Sequence, residues 1–280
     1  MEYSFSFSDE VQQEWEWSER YAAQPELLDY CNFVADRLGL RKDIQLNTRI
    51  ASLIFDEAAG RWLLKTDQGE EISAKYCVMA TGVLSTPNEP DFKNLDAFKG
   101  RVYHSAKWPE ESVDFTGQRV GVIGTGSSGV QMIPLIAEQA AHLHVFQRTP
   151  GYVVPLRNCA MPPEYQASVK ANYKQWRWRE RYQSFGGWIS VNFEPSELVT
   201  KLALDVSEEE REQFYDSRWE SGGLSFYNMY PDVFSNMEAN ATLADYLRKK
   251  IRARVKDPAV ADKLMPDFPV LTKRLMGDNG

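Results

Sequence analysis

A chain of 280 residues is long enough for one large domain or two ordinary ones, and 43% hydrophobic with 26% charged residues excludes wholesale disorder. With 40 Asp and Glu against 32 Lys and Arg, the net charge is −8, which argues against a nucleic-acid coat or a general attraction to anionic membranes. No run reaches the ~18–20 apolar residues of a membrane span, and Met1-Glu2-Tyr3 opens without the basic-then-apolar pattern of a signal peptide, so a cytoplasmic location is expected.

The first residues, Met1 to Phe7, are aromatic and alternating, like a packed strand or loop. Ser8 then supplies an N-cap, with Asp9 and Glu10 in the first helical turn where carboxylates meet the positive helix end. Pro25 opens a second helix, with Leu27, Leu28, Cys31, Val34 and Leu38 predicted on its apolar face and Gly39 as its stop. The period then changes. Ile44, Leu46, Thr48 and Ile50 alternate, Leu53-Ile54-Phe55 and Trp62-Leu63-Leu64 flank a turn at Asp56 to Gly60, and a second turn follows at Asp67-Gln68-Gly69. These segments predict a β-meander, and the apolar run Tyr76 to Ala80 predicts a buried strand ending at Ala80-Thr81-Gly82. Val83 to Leu95 is linker-like, with Pro87 and Pro90.

Next come a strand at Arg119 to Ile123, a glycine loop, a helix bearing Val130, Ile133, Leu135, Ile136 and Ala140, and a strand at Leu143 to Phe146. From Pro162 to Lys263 the reading is mostly helical, with a capping box at Ser207 and Glu210 and an apolar stripe of Leu243, Tyr246, Leu247, Ile251 and Val255. The basic residues Arg248, Lys249, Lys250, Arg252, Arg254 and Lys256 read as a solvated helix face in this acidic chain. Cys31, Cys77 and Cys159 share no C-x-x-C spacing and read as buried or half-buried thiols of a reducing compartment. His104, His142 and His144 have no partner at helical metal spacing, so no metal is expected.

The loop Gly124-Thr125-Gly126-Ser127-Ser128-Gly129, continuing into Gln131 on the helix, is a G-x-G-x-x-G in the strand–turn–helix context that the motif requires for dinucleotide binding. Gly124 permits the tight turn, Gly126 lets backbone approach a pyrophosphate, and Gly129 lets helix and strand pack closely. Where an NAD site places an acid for the ribose hydroxyl, the chain reads Gln147-Arg148-Thr149. A guanidinium grips a 2′-phosphate that a carboxylate would repel, so NADP(H) is preferred; the plainer alternative for Arg148 is a surface salt bridge.

From chemistry alone, the segment around His104 reads as an acid–base group, a hydrogen-bonding strut or an aromatic domain junction. As a pattern, Phe98, Gly100, His104, Trp108 and Pro109 fit F-x-G-x-x-x-H-x-x-x-W-P, which resembles the fingerprint of the Baeyer–Villiger monooxygenases, flavin- and NADPH-dependent enzymes. The Ser4–Glu26 opening, Ala80-Thr81-Gly82, Gly121 to Gly129, Val145 to Pro150 and Leu271 to Leu275 look like this family in the family's order. The resemblance implies that Arg148, Thr149 and Lys273 hold the NADP 2′-phosphate. It also implies that Arg274 lies by the flavin ring and offsets the negative charge that builds there, as a fixed cation does in a dry site. His104 would serve the domain junction.

The implied activity is oxidation of a ketone to an ester or lactone with NADPH, FAD and O2. The family's N-terminal FAD glycine motif, its acidic catalytic residue and its long C-terminal portion have no counterpart here, so the resemblance reads the chain as the middle of a larger enzyme. The expected fold is α/β: part of an FAD domain with a β-meander (1–88), a Rossmann-like NADP domain (89–150 with 264–280), and a helical insertion (151–263). Two alternatives stay open: a flavin N- or S-oxygenase, and a non-catalytic NADP-binding module needing a partner for the FAD site. A disulfide reductase is disfavoured because no C-x-x-C exists for thiol exchange. The expected partners are a ketone and O2, without nucleic acid or membrane, and exposed strand edges predict self-association.

Overall fold

Alternating apolar residues between Ile50 and Ala74 form a three-stranded antiparallel sheet in the order β1 (Ile50–Asp56), β2 (Arg61–Thr66), β3 (Glu71–Ala74). The computed structural model describes residues 3–183 and 199–278, and this sheet belongs to the smaller of two units, Cys31–Ser112. Cross-strand pairs set its register: Leu53 faces Leu64, and Phe55 faces Trp62 with ring centres 5.1 Å apart. Both predicted turns form. Asp56 Oδ1 accepts from the amides of Ala58 and Ala59, and Gly60 and Gly69 take φ of +61° and +88°, which glycine adopts without a Cβ penalty.

Two expectations for this region are corrected. Residues 44–49 stand outside the sheet, which begins at Ile50. Tyr76 to Ala80 forms no strand, and Val78 is 88% exposed. A strand exists only where a ladder satisfies its backbone, and among the described residues none pairs with this run. Ile54 and Leu63, paired across β1 and β2, also stand exposed.

The larger unit joins Met1–Tyr30 to Val113–Gly280. Ser8 caps α1 (Asp9–Glu14) as predicted, its Oγ accepting from the Val11 amide at 3.3 Å. Helix α2 (Gln24–Arg37) ends before Gly39, at φ +62°, but its buried side is not the predicted one. Tyr30 and Val34 are buried, Leu27 is half-buried, and Leu28, Cys31 and Leu38 are exposed. Tyr30 decides the orientation, because its ring packs among Phe5, Trp15 and Trp17 at 4.8–5.4 Å and its hydroxyl accepts from the Phe5 amide. The thiols are correspondingly less buried than expected: Cys31 and Cys159 are exposed and Cys77 half-buried.

The strand–loop–helix–strand reading holds. β4 (Arg119–Ile123) and β5 (His142–Phe146) pair in parallel, connected by α3 (Ser127–Gln139), which packs on both strands, with Ile136 buried on α3 and Val122 buried on β4. A second parallel pair joins β6 (Val153–Pro155) to β7 (Met276–Asp278), and β7 also lies against α3. The predicted helical stretch contains α4 (Pro163–Ala171), α5 (Tyr173–Tyr182), α6 (Glu208–Ser221), α7 (Met237–Arg254) and α8 (Pro258–Lys263), and its part at 184–198 lies outside the described residues.

Tyr215, Phe226, Val233, Leu243, Leu247 and Val270 form the core between α6 and α7. Ser207 Oγ accepts from the Glu210 amide, but the Glu210 carboxylate takes Lys201 instead of closing the capping box. The basic face of α7 is paired with acids: Arg248 with Asp245, Lys249 with Glu212, Lys250 with Asp216, Arg252 with Asp262. Among the described residues, no helix is long and apolar enough to cross a membrane.

Candidate dinucleotide-binding site

The three glycines where β4 leads into α3 differ in what a side chain would meet. Gly124 takes φ of +101° as the chain leaves β4, and its amide donates to the Phe146 carbonyl at 2.9 Å, tying the loop to the end of β5. A β-carbon on Gly129 would overlap the Gly124 carbonyl oxygen, so close packing of helix on loop requires glycine there. At Gly126 the opposite holds: the backbone is ordinary, with φ of −79°, and a β-carbon would meet nothing within 4 Å.

The space over Gly126 is open, as the close approach of a pyrophosphate to backbone would require. The amides of the first turn of α3, at Ser127, Ser128 and Gly129, have no acceptor within the helix and carry its positive end. The residues therefore fit a dinucleotide phosphate, and Gln131 stands exposed one turn further along.

Beyond β5 the side chains become polar. Arg148 is exposed and Thr149 half-buried. Lys273 and Arg274 are exposed just before β7, and the Lys273 ammonium lies 4.4 Å from the centre of the Phe268 ring. Because β7 rests against α3, this segment returns to the unit that holds the glycine loop, although it is more than 120 residues away in the chain.

One residue of the site was not singled out from the sequence. Gln147 accepts from Thr125 Oγ1 at 3.4 Å and donates through Nε2 to the Lys263 carbonyl at 2.9 Å, linking the loop, the end of β5 and the end of α8. The local signal was an amide side chain between an apolar strand and Arg148. Its partner at Lys263 is 116 residues distant.

The fingerprint residues lie in the other unit and are taken by themselves. His104 is half-buried, and its Nδ1 accepts from the Ala106 amide at 3.2 Å, capping the turn at 105–107. Phe98 folds back over Gly100, where a β-carbon would meet its ring at 2.6 Å. Tyr103 and Trp108 pack at 5.7 Å, Pro109 is half-buried, and Lys107 pairs with Glu89, holding that carboxyl below the usual carboxylate range. These contacts make the segment a self-bracing turn.

Residues 3–182 match the model of the pyridine nucleotide-disulphide oxidoreductase family. A Baeyer-Villiger monooxygenase from Pseudooceanicola batsensis is 41% identical over 280 residues, covering 99% of this chain and 50% of that protein. The phenazine N-monooxygenase PhzNO1 of Lysobacter antibioticus is 42% identical over 266 residues, covering 94% of this chain and 48% of its own.

Among solved structures, an oxidized steroid monooxygenase bound to NADP superposes with a TM-score of 0.92 at 48% identity, covering 100% of this chain and 52% of that one. OTEMO in complex with FAD and NADP superposes at 0.88 with 39% identity, covering 96% and 50%. The chain thus spans about half the length of the relatives it matches. The family's name refers to disulphide chemistry, for which the C-x-x-C pair is missing here. On the match over residues 3–182, the chain belongs to the pyridine nucleotide-disulphide oxidoreductase family, and over nearly its whole length it is homologous to Baeyer–Villiger monooxygenases.

Proposed function

We propose that this chain is the NADPH-handling part of a flavin-dependent Baeyer–Villiger monooxygenase, which uses NADPH and O2 to oxidise a ketone to an ester or lactone. The observation that carries the reading is the open Gly126 cradle on a β4–α3–β5 unit whose second strand leads into Arg148 and Thr149 rather than a ribose-binding acid. Gly124, Gly126 and the first-turn amides of α3 would hold the pyrophosphate. Arg148, Thr149 and Lys273 would hold the 2′-phosphate. When bound, NADPH supplies a hydride. Arg274 is proposed as the cation that offsets negative charge at the reacting centre, and His104 as the brace of its own turn.

A second dinucleotide does not fit these residues in the same way. The sequence has one G-x-G-x-x-G, and it is taken by NADP. FAD is therefore proposed for the whole oxygenase, with 1–88 contributing part of its domain, 89–150 and 264–280 forming the NADP domain, and 151–263 the helical insertion. The packing of β7 on α3 supports the return of the last segment. Exposed apolar residues on β1 and β2 support self-association, and the exposed thiols Cys31 and Cys159 support a reducing, cytoplasmic setting.

Two further readings have support. A flavin N-oxygenase is favoured by the phenazine N-monooxygenase relative, which is no less similar than the Baeyer–Villiger one, while Trp108-Pro109 favours the ketone reading. A non-catalytic NADP-binding module is favoured by the exposed sheet. Titration with NADPH and NADH tests cofactor choice, and equal affinity would overturn it. Product analysis with a cyclic ketone and with a phenazine, in a preparation that holds FAD, separates the two oxygenases.

A further inference from the structure

Strand β5 brings two imidazoles to one point. Residues two apart on a strand share a face, and the Nε2 atoms of His142 and His144 lie 2.9 Å apart, with ring centres at 4.3 Å. Both side chains are exposed. Across the pairing, Gly121 stands opposite His144 and offers no side chain to cover it, while Arg119 stands opposite His142. Among the described residues, no group of three or more His, Cys, Asp or Glu is placed to hold a metal, so any ion here would take these two ligands and fill its other positions with water.

We propose that His142 and His144 form an open, two-imidazole binding site for a divalent transition-metal ion of the copper or nickel type. Imidazole nitrogen binds such ions at about 2.0–2.1 Å. Two nitrogens 2.9 Å apart then subtend roughly 90° at the metal, the angle between neighbouring ligands in square-planar or octahedral sites and narrower than the tetrahedral angle of zinc. Cu2+ fits best, since it also stands highest in divalent affinity for nitrogen ligands. Chelation replaces the hydrogen bond between the rings, and both imidazoles then carry their proton on Nδ1. Arg119, the residue paired with His142 across the strands, carries a charge that opposes the ion. The site lies at the start of β5, whereas dinucleotides bind beyond the carboxyl ends of parallel strands, so metal and NADPH do not compete.

The test is titration of Cu2+, Ni2+ and Zn2+ into the tag-free full chain by calorimetry, with electron paramagnetic resonance of the Cu2+ sample. The expected result is one Cu2+ per chain with two imidazole nitrogens in its spectrum. His142→Ala and His144→Ala should each weaken binding by roughly tenfold or more, the loss seen even for groups that merely orient a ligand, and Arg119→Ser should tighten it. Unchanged circular dichroism shows that the variants fold. No saturable Cu2+ binding, undiminished binding in the double variant, or Zn2+ held more tightly than Cu2+ would each overturn the proposal. Failure of the wild-type chain to bind NADPH would remove the proposed function and leave this site standing.

Discussion

The carbonyl oxygen of Gly124 occupies the space that a β-carbon on Gly129 would need, whereas the space above Gly126, between them in the loop, is empty. The same motif thus contains one glycine required by packing and another that packing leaves free, to which the proposed function gives the pyrophosphate. Gly129→Ala should cost about 1–3 kcal/mol through overpacking against backbone, read as a lower melting temperature. Gly126→Val should leave the melting temperature near that of the parent and abolish NADPH binding. A Gly126→Val chain that folds and binds NADPH as tightly as the parent would remove the pyrophosphate from this loop.

Arg148 is exposed just beyond β5, where a surface charge adds little to stability, and the proposed function gives it the 2′-phosphate. Arg148→Ala is expected to weaken NADPH by about 1.5–3 kcal/mol, the range for hydrogen bonds to charged groups, and to leave NADH affinity nearly unchanged. Parallel fluorescence titrations with the two cofactors check this, and equal losses for both would assign Arg148 a role away from the 2′-phosphate.

The open sheet face and the lack of a second glycine loop predict how the 280-residue chain behaves alone. It should purify without flavin colour, show no ketone-dependent NADPH consumption, and associate in sedimentation experiments. Ile54→Lys with Leu63→Glu, a cross-strand pair of opposite charge, should reduce that association while keeping the sheet. Stoichiometric FAD with lactone formation from a cyclic ketone would contradict the expectation.

On α6, Asp216 accepts from the Lys250 ammonium and the Tyr246 hydroxyl, both at 2.7 Å, and the Lys250 bond is the larger cause holding its carboxyl below the ordinary value. A carboxyl lowered by folding contributes stability above its unfolded value, about 3.9, and loses it as pH falls through the folded value. Acid unfolding of Asp216→Asn should therefore depend less on pH below about 4 than that of the parent. Superimposable acid limbs would show that solvent screening cancels the contribution of this exposed pair.

The strand, glycine loop, helix and second strand at 119–146 were legible in the sequence alone, because the signals that specify them and the pairing of β4 with β5 lie within that one segment. Period, a turn that needs positive φ and a helix start sit within 28 residues and point to the same arrangement. The same holds for the Ser8 cap and the two turns of the β1–β3 sheet.

Burial, by contrast, was decided by partners far away in the chain or missing beside it. The apolar pattern of α2 did not reveal that Tyr30 would be drawn among Phe5, Trp15 and Trp17, and the run Tyr76 to Ala80 has strand composition without a ladder to enter. Gln147 joined the site only when α8 brought the Lys263 carbonyl within 2.9 Å. His142 and His144, tested in sequence for helical spacing, became neighbours because their segment is a strand, on which the two-residue repeat turns alternate side chains to one face.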